Sequence, residues 1–166
     1  MTNWDGSTAV PTFTVERARA SKLANISTLL TALTDEWTDY SSTFAISAVT
    51  TPPTKGASVY VARYKRIGKW VDYMFSVTIG AGWASGSGAY IFPLPVAARA
   101  VQQQVGPARV FDTGTAYRYG FLEANTSTSQ GRIILDSGTD FLGSAGPGTA
   151  WATGDIIVAN IRYEAA

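Results

Sequence analysis

Asp136, Asp140 and Asp155 flank a long glycine-rich stretch, DSGTDFLGSAGPGTAWATG, and are the first residues to weigh for chemistry. Carboxylate oxygens suit a hard cation such as calcium, but the D-x-D-x-D-G spacing of a calcium loop is absent. Aspartate that shapes turns is the stronger reading. A glycosidase needs two carboxylates facing each other across a bond, and the twelve acids here are scattered. The chain has no histidine and no cysteine. That removes the imidazole base, the Ser-His-Asp triad, the thiolate nucleophile, disulfides and Cys/His metal sites. Gly80, Gly82, Gly86 and Gly88 do not fit G-x-G-x-x-G, and no Gly-Lys-Ser/Thr follows them. They read as a hairpin loop and not as a phosphate cradle. The sequence therefore predicts no catalytic residue, no metal ligand and no cofactor.

Binding chemistry is better represented. Trp37, Trp70, Trp83 and Trp151, together with the tyrosines, could stack on sugar rings, but packing in a core or a subunit interface weighs more. Arg63, Lys65, Arg66 and Lys69 make a local basic cluster. Over the whole chain 13 basic residues offset 12 acidic ones, for a net charge of +1. That balance gives no field for nucleic acid or an anionic membrane, so neither is expected as a partner. No apolar run approaches ~18 residues, the length needed to span a bilayer. The opening MTNWDGSTAV has neither the basic nor the apolar region of a signal peptide. The sequons at Asn25 and Asn125 would matter only in a secretory pathway.

These residues must be held by a small set of elements. Residues 1–20 read as an extended arm, with Pro11, Thr12, Thr14 and Val15 favouring open backbone. Residues 21–37 read as a helix with Ser21 at its N-cap. Leu23, Ile26, Leu30, Leu33 and Trp37 recur at alternating spacings of three and four, an a/d seam. Either that seam packs on the chain's own sheet or it forms a short oligomeric bundle.

From residue 38 the period changes to two. Thr43–Val49 alternates as a strand, and Ser58–Ile67 pairs with Lys69–Ile79 as a hairpin through Gly68. Further strands are expected at Tyr90–Leu94, Arg109–Asp112, Thr115–Ala124, Gly131–Leu135 and Asp155–Tyr163. Short strands separated by turn signals, with one helix in front, predict a mainly β chain. The expected form is an antiparallel, jelly-roll-like β-sandwich over residues 38–166.

The order of features also carries a resemblance. ASKLANISTLLTAL (20–33) precedes EWTDY (36–40), then ARYKRIGKWVDYMFSVTIG (62–80) and GSGAYIFPLPVAARA (86–100). Over residues 11–100 this resembles a family of tailed-bacteriophage minor capsid or minor tail proteins, mainly from phages of actinobacteria. The helix match is imperfect, with Leu23-Ala24-Asn25 where the family pattern has Leu-Asn. The resemblance implies a β-sandwich, often trimeric about an N-terminal helix, located in the virion after assembly in the host cytoplasm, with no enzyme activity.

Two roles follow as expectations. The first is a homotrimeric decoration protein that cements the major capsid protein lattice. Its arm would contribute Trp4, Phe13, Val15, Arg17 and Arg19, and the seam of Leu23, Ile26, Leu30, Leu33 and Trp37 would hold the subunits together. The alternative is a minor tail or fibre-tip protein that binds a host-surface glycan.

Overall fold

The computed structural model describes residues 12–34, 36–136, 141–145 and 150–166. The chain divides into two compact units, residues 1–35 and residues 36–166.

In the first unit, helix α1 runs Thr12–Thr34. It starts nine residues before the position expected from Ser21. The stretch V-E-R-A-R-A-S-K is rich in strong helix formers, and their summed propensity outweighs the local preference of Ser21 for a cap. Proline stands just before Thr12 in the sequence, the residue type favoured at a helix start. Over residues 12–20 the extended arm is therefore corrected: the backbone at Phe13, Val15, Arg17 and Arg19 is helical. Trp4 lies outside the described residues. At its far end α1 stops at Thr34, whose hydroxyl donates back to the Leu30 carbonyl. Trp37 is not in the helix, so the expected seam loses its last member.

The second unit is mainly β, as the sequence predicts. Its strands are β1 (Thr38–Asp39), β2 (Ser47–Ala48), β3 (Val59–Ile67), β4 (Trp70–Thr78) and β5 (Tyr90–Pro93). They continue with β6 (Gln104–Asp112), β7 (Ala116–Ala124), β8 (Gln130–Leu135) and β9 (Ile156–Glu164). All named pairs are antiparallel, in the order β1-β3-β4-β9-β6-β7-β8-β5-β2. The hairpin through Gly68 is present, with Ile67 opposite Trp70. Gly68 takes φ +61°, which a two-residue hairpin with glycine in its first turn position requires.

Two strands differ from expectation. Only Ser47–Ala48 of the segment 43–49 joins a ladder, although Phe44 and Ile46 still alternate into the core with Ala45 exposed. Strand β6 begins five residues earlier than Arg109, because Gly106-Pro107, a turn signal in sequence, sits inside it. A Cβ at Gly106 would lie 2.2 Å from the Asn160 carbonyl oxygen, so glycine lets β9 approach closely there.

The sheet curls on itself. Strands β4 and β5 are five steps apart, which in a flat sheet would separate them by ~24 Å. Yet Phe75 and Phe92 stack with ring centroids 5.0 Å apart. Tyr73 on β4 donates from its phenol to the Pro93 carbonyl at 2.9 Å. Tyr163 on β9 donates to the Val96 carbonyl at 2.9 Å. One face of each strand thus turns inward onto a shared core, with Val71, Tyr73, Phe75 and Val77 from β4 at its centre. Burial of these rings and aliphatic chains is the main source of the unit's stability.

Candidate interaction surfaces

The helix exposes the residues that its spacing marks as buried. Leu23 is 65% exposed, Ile26 52%, Leu30 56% and Leu33 54%. They line one face because positions three and four apart stack on a helix. These four aliphatic residues form an exposed apolar stripe along the helix. Trp37, by contrast, is half-buried and belongs to the second unit. Arg19 is exposed.

The outward face of the sheet is the second surface. Antiparallel sheets with one solvated face normally show polar residues there. Here registers align Val61 with Ser76, Ser76 with Val158, Val158 with Arg109, and Arg109 with Tyr119, across β3, β4, β9, β6 and β7. Tyr117, Tyr119 and Phe121 stand on the same side of β7 and are each more than half exposed. Met74 and Trp70 on β4 are also exposed on this face. The Arg109 guanidinium lies 5.1 Å from the Tyr117 ring centroid. A depression of about 270 Å³ is sunk between Val61, Arg63, Met74, Ser76, Val158 and Asn160. Ser76 is the small side chain that leaves it open between two valines.

The tryptophans divide by location. Trp83 and Trp151 pack against the core. Trp151 lies over Tyr90 with centroids 6.0 Å apart and donates from Nε1 to the Gly143 carbonyl at 2.9 Å. Trp83 meets both rings edge-on. They fasten the loops around residues 83 and 151 to the core. Of the expected sugar-stacking residues, Trp70 is the one left well exposed.

The basic cluster is split by strand alternation. Arg63 and Lys65 point outward, while Arg66 is on the opposite side of β3, where its Nε donates to the Gly68 carbonyl. Asp39, opposite Arg63 across β1–β3, accepts from the Ser41 backbone at 2.9 Å. Its carboxyl is held below its ordinary pKa by the hydrogen bonds from Ser41 and, less, by the Arg63 charge. Asp72 is engaged by Arg162 through two hydrogen bonds of 2.6 and 2.8 Å.

Asp155, one of the three loop aspartates, is fully buried and acts as a clamp. Its Oδ1 accepts from the Thr113 amide at 2.9 Å and its Oδ2 from the Ala152 amide at 2.8 Å. Asp136 is exposed, and Asp140 lies outside the described residues. Among the described residues no group of three or more acidic side chains is placed to hold a metal ion. No described helix is long and apolar enough to cross a membrane.

Sequence reasoning placed Leu23, Ile26, Leu30 and Leu33 on one helix face but missed the outward sheet patch. Its signal was present: Tyr117, Tyr119 and Phe121 alternate on one strand. What the sequence lacks is which face of that strand the core takes.

Comparison of the chain with protein-family models, with curated proteins and with solved structures finds no match.

Proposed function

We propose that this chain is a non-enzymatic structural protein of a tailed-bacteriophage virion, assembled as a homotrimer through the face of α1 that carries Leu23, Ile26, Leu30 and Leu33. The observation that carries the reading is the exposure of those four residues on a helix that belongs to a unit of its own. Two heptads cannot hold subunits together alone, so contacts outside the helix must add to the seam. The virion setting comes from the resemblance of residues 11–100.

In this reading the trimer decorates the head and binds the major capsid protein through the region preceding the seam. Phe13, Val15, Arg17 and Arg19 would act from the first half of α1, with Trp4 ahead of them. Three copies bound together reach useful affinity by avidity even if each contact is weak, and a closed three-fold assembly suits a three-fold lattice position.

The tail-tip alternative, binding a host glycan, requires aromatic faces free to stack. Trp83 and Trp151 are engaged with Tyr90 and with each other, so that role would fall to the exposed rings of Trp70, Tyr117 and Tyr119.

Sedimentation of the purified chain tests assembly, with a three-fold mass expected. Copy counting in purified particles tests the role: hundreds of copies support decoration, a few support the tail, and none overturns the virion reading.

A further inference from the structure

We infer that the outward face of the curled sheet, around the depression between Val61 and Val158, is a docking surface for an acidic, apolar-bearing surface of another protein. This stands independently of the virion reading.

Four observations converge on it. First, size: three rings on β7 more than half exposed, with Val61 47% and Met74 42% exposed on β3 and β4, add up to apolar area on the order of 500 Å² on the outward face. Second, composition: Tyr, Trp, Met and Arg are the types enriched at protein interfaces. Third, shape: a pit of about 270 Å³ with an almost wholly apolar lining accepts one aliphatic or aromatic side chain, the form of an anchor site. Fourth, charge: Asp72, Glu164 and Glu123 on this face are ion-paired or buried, while Arg63 and Arg109 are in no ion pair among the described residues. Asp72 is bound by Arg162, Glu164 by Arg99, and Glu123 is buried. Arg109 lies over a tyrosine ring, and Arg63 has Asp39 as its acidic neighbour. The middle of the face is therefore cationic although the chain is nearly neutral.

The same charge argues against a two-fold contact between copies, which would set Arg63 and Arg109 against their own duplicates. Nucleic acid is a poor fit as well. It would use the arginines and tyrosines but leave Val61, Met74 and the apolar pit without a partner.

The test uses the full chain and three probes at near-physiological salt: a random copolymer of glutamate and tyrosine, polyglutamate of equal length, and oligodeoxythymidylate. The copolymer is expected to bind about tenfold more tightly than polyglutamate, and Val61→Asp and Arg109→Glu to weaken it about tenfold each. Lys55→Gln, away from this face, should leave affinity within about twofold. If Val61→Asp lowers the melting temperature, Met74→Ala is read in its place, with a loss of about threefold expected.

Equal binding of copolymer and polyglutamate overturns the proposal, as does tightest binding of the oligonucleotide or no loss in the variants. Concentration-dependent mass that Val61→Asp abolishes would assign the face to a second copy. Altered amide exchange in α1 of Val61→Asp would assign it to the chain's own helix. Either result refutes an acidic protein partner.

Discussion

Leu30 on α1 and Leu94 after β5 are the same residue type in opposite circumstances: one is 56% exposed, the other 2%. The β unit satisfies its apolar residues internally, by curling until Phe75 meets Phe92. The stripe of Leu23, Ile26, Leu30 and Leu33 along the helix is exposed instead. The β unit thus buries its own apolar residues, and under the proposed assembly the helix stripe would be covered by other copies of the chain.

The strongest way to break this contrast is to remove a core ring. Phe92→Ala should destabilise the β unit by about 4 kcal/mol in urea unfolding. A cost under about 1 kcal/mol would mean that the curled ends do not hold each other. Asp155→Ala comes next, at about 2 kcal/mol, because it removes the buried carboxylate that accepts from the Thr113 and Ala152 amides.

Alkali separates the units without mutation. Burial raises the Tyr60 and Tyr90 phenols from near 10 to about 12, and pushes Tyr73 and Tyr163 up as well. Between those values the unfolded chain has lost phenolic protons that the folded chain retains. Their contribution to stability is present below about pH 10 and is lost as pH rises towards about 12. Helix α1 contains no tyrosine. Denaturation curves at about pH 9 and about pH 11 should show the loss in the β unit's transition; a transition independent of pH contradicts the buried phenols.

Gly68→Ala should cost about 1 kcal/mol, since it places a Cβ at φ +61° with no clash to add. Leu30→Asp should have the smallest effect on the β unit, under about 0.5 kcal/mol, while the assembled mass falls to that of one chain. If the variant still assembles, the seam is wrong. If the β unit melts with it, the contrast between the two regions fails.

Much of this fold was legible because period-two alternation is a local signal. The face shared by Val71, Tyr73, Phe75, Val77 and Ile79 reads directly from sequence and is the buried face. The a/d spacing of Leu23 to Leu33 was equally plain, and those residues do share one helix face. The misread parts have local causes too. Ser21 resembles a cap but sits inside a run of strong helix formers. The strand expected from Arg109 begins at Gln104, where Gly106 admits a close neighbour. Trp37 continued the spacing, yet the helix ends before it.

Local sequence by itself determined the element types, the inward face of the central hairpin and the apolar stripe of the helix, since each follows from the geometry of a few consecutive residues. Only tertiary structure decided that Trp83 and Trp151 are buried against the core while Tyr117, Tyr119 and Phe121 are left outside, and that Asp155 bridges two distant amides. These outcomes depend on which strands the curl brings together, and that is set by contacts between residues far apart in the chain.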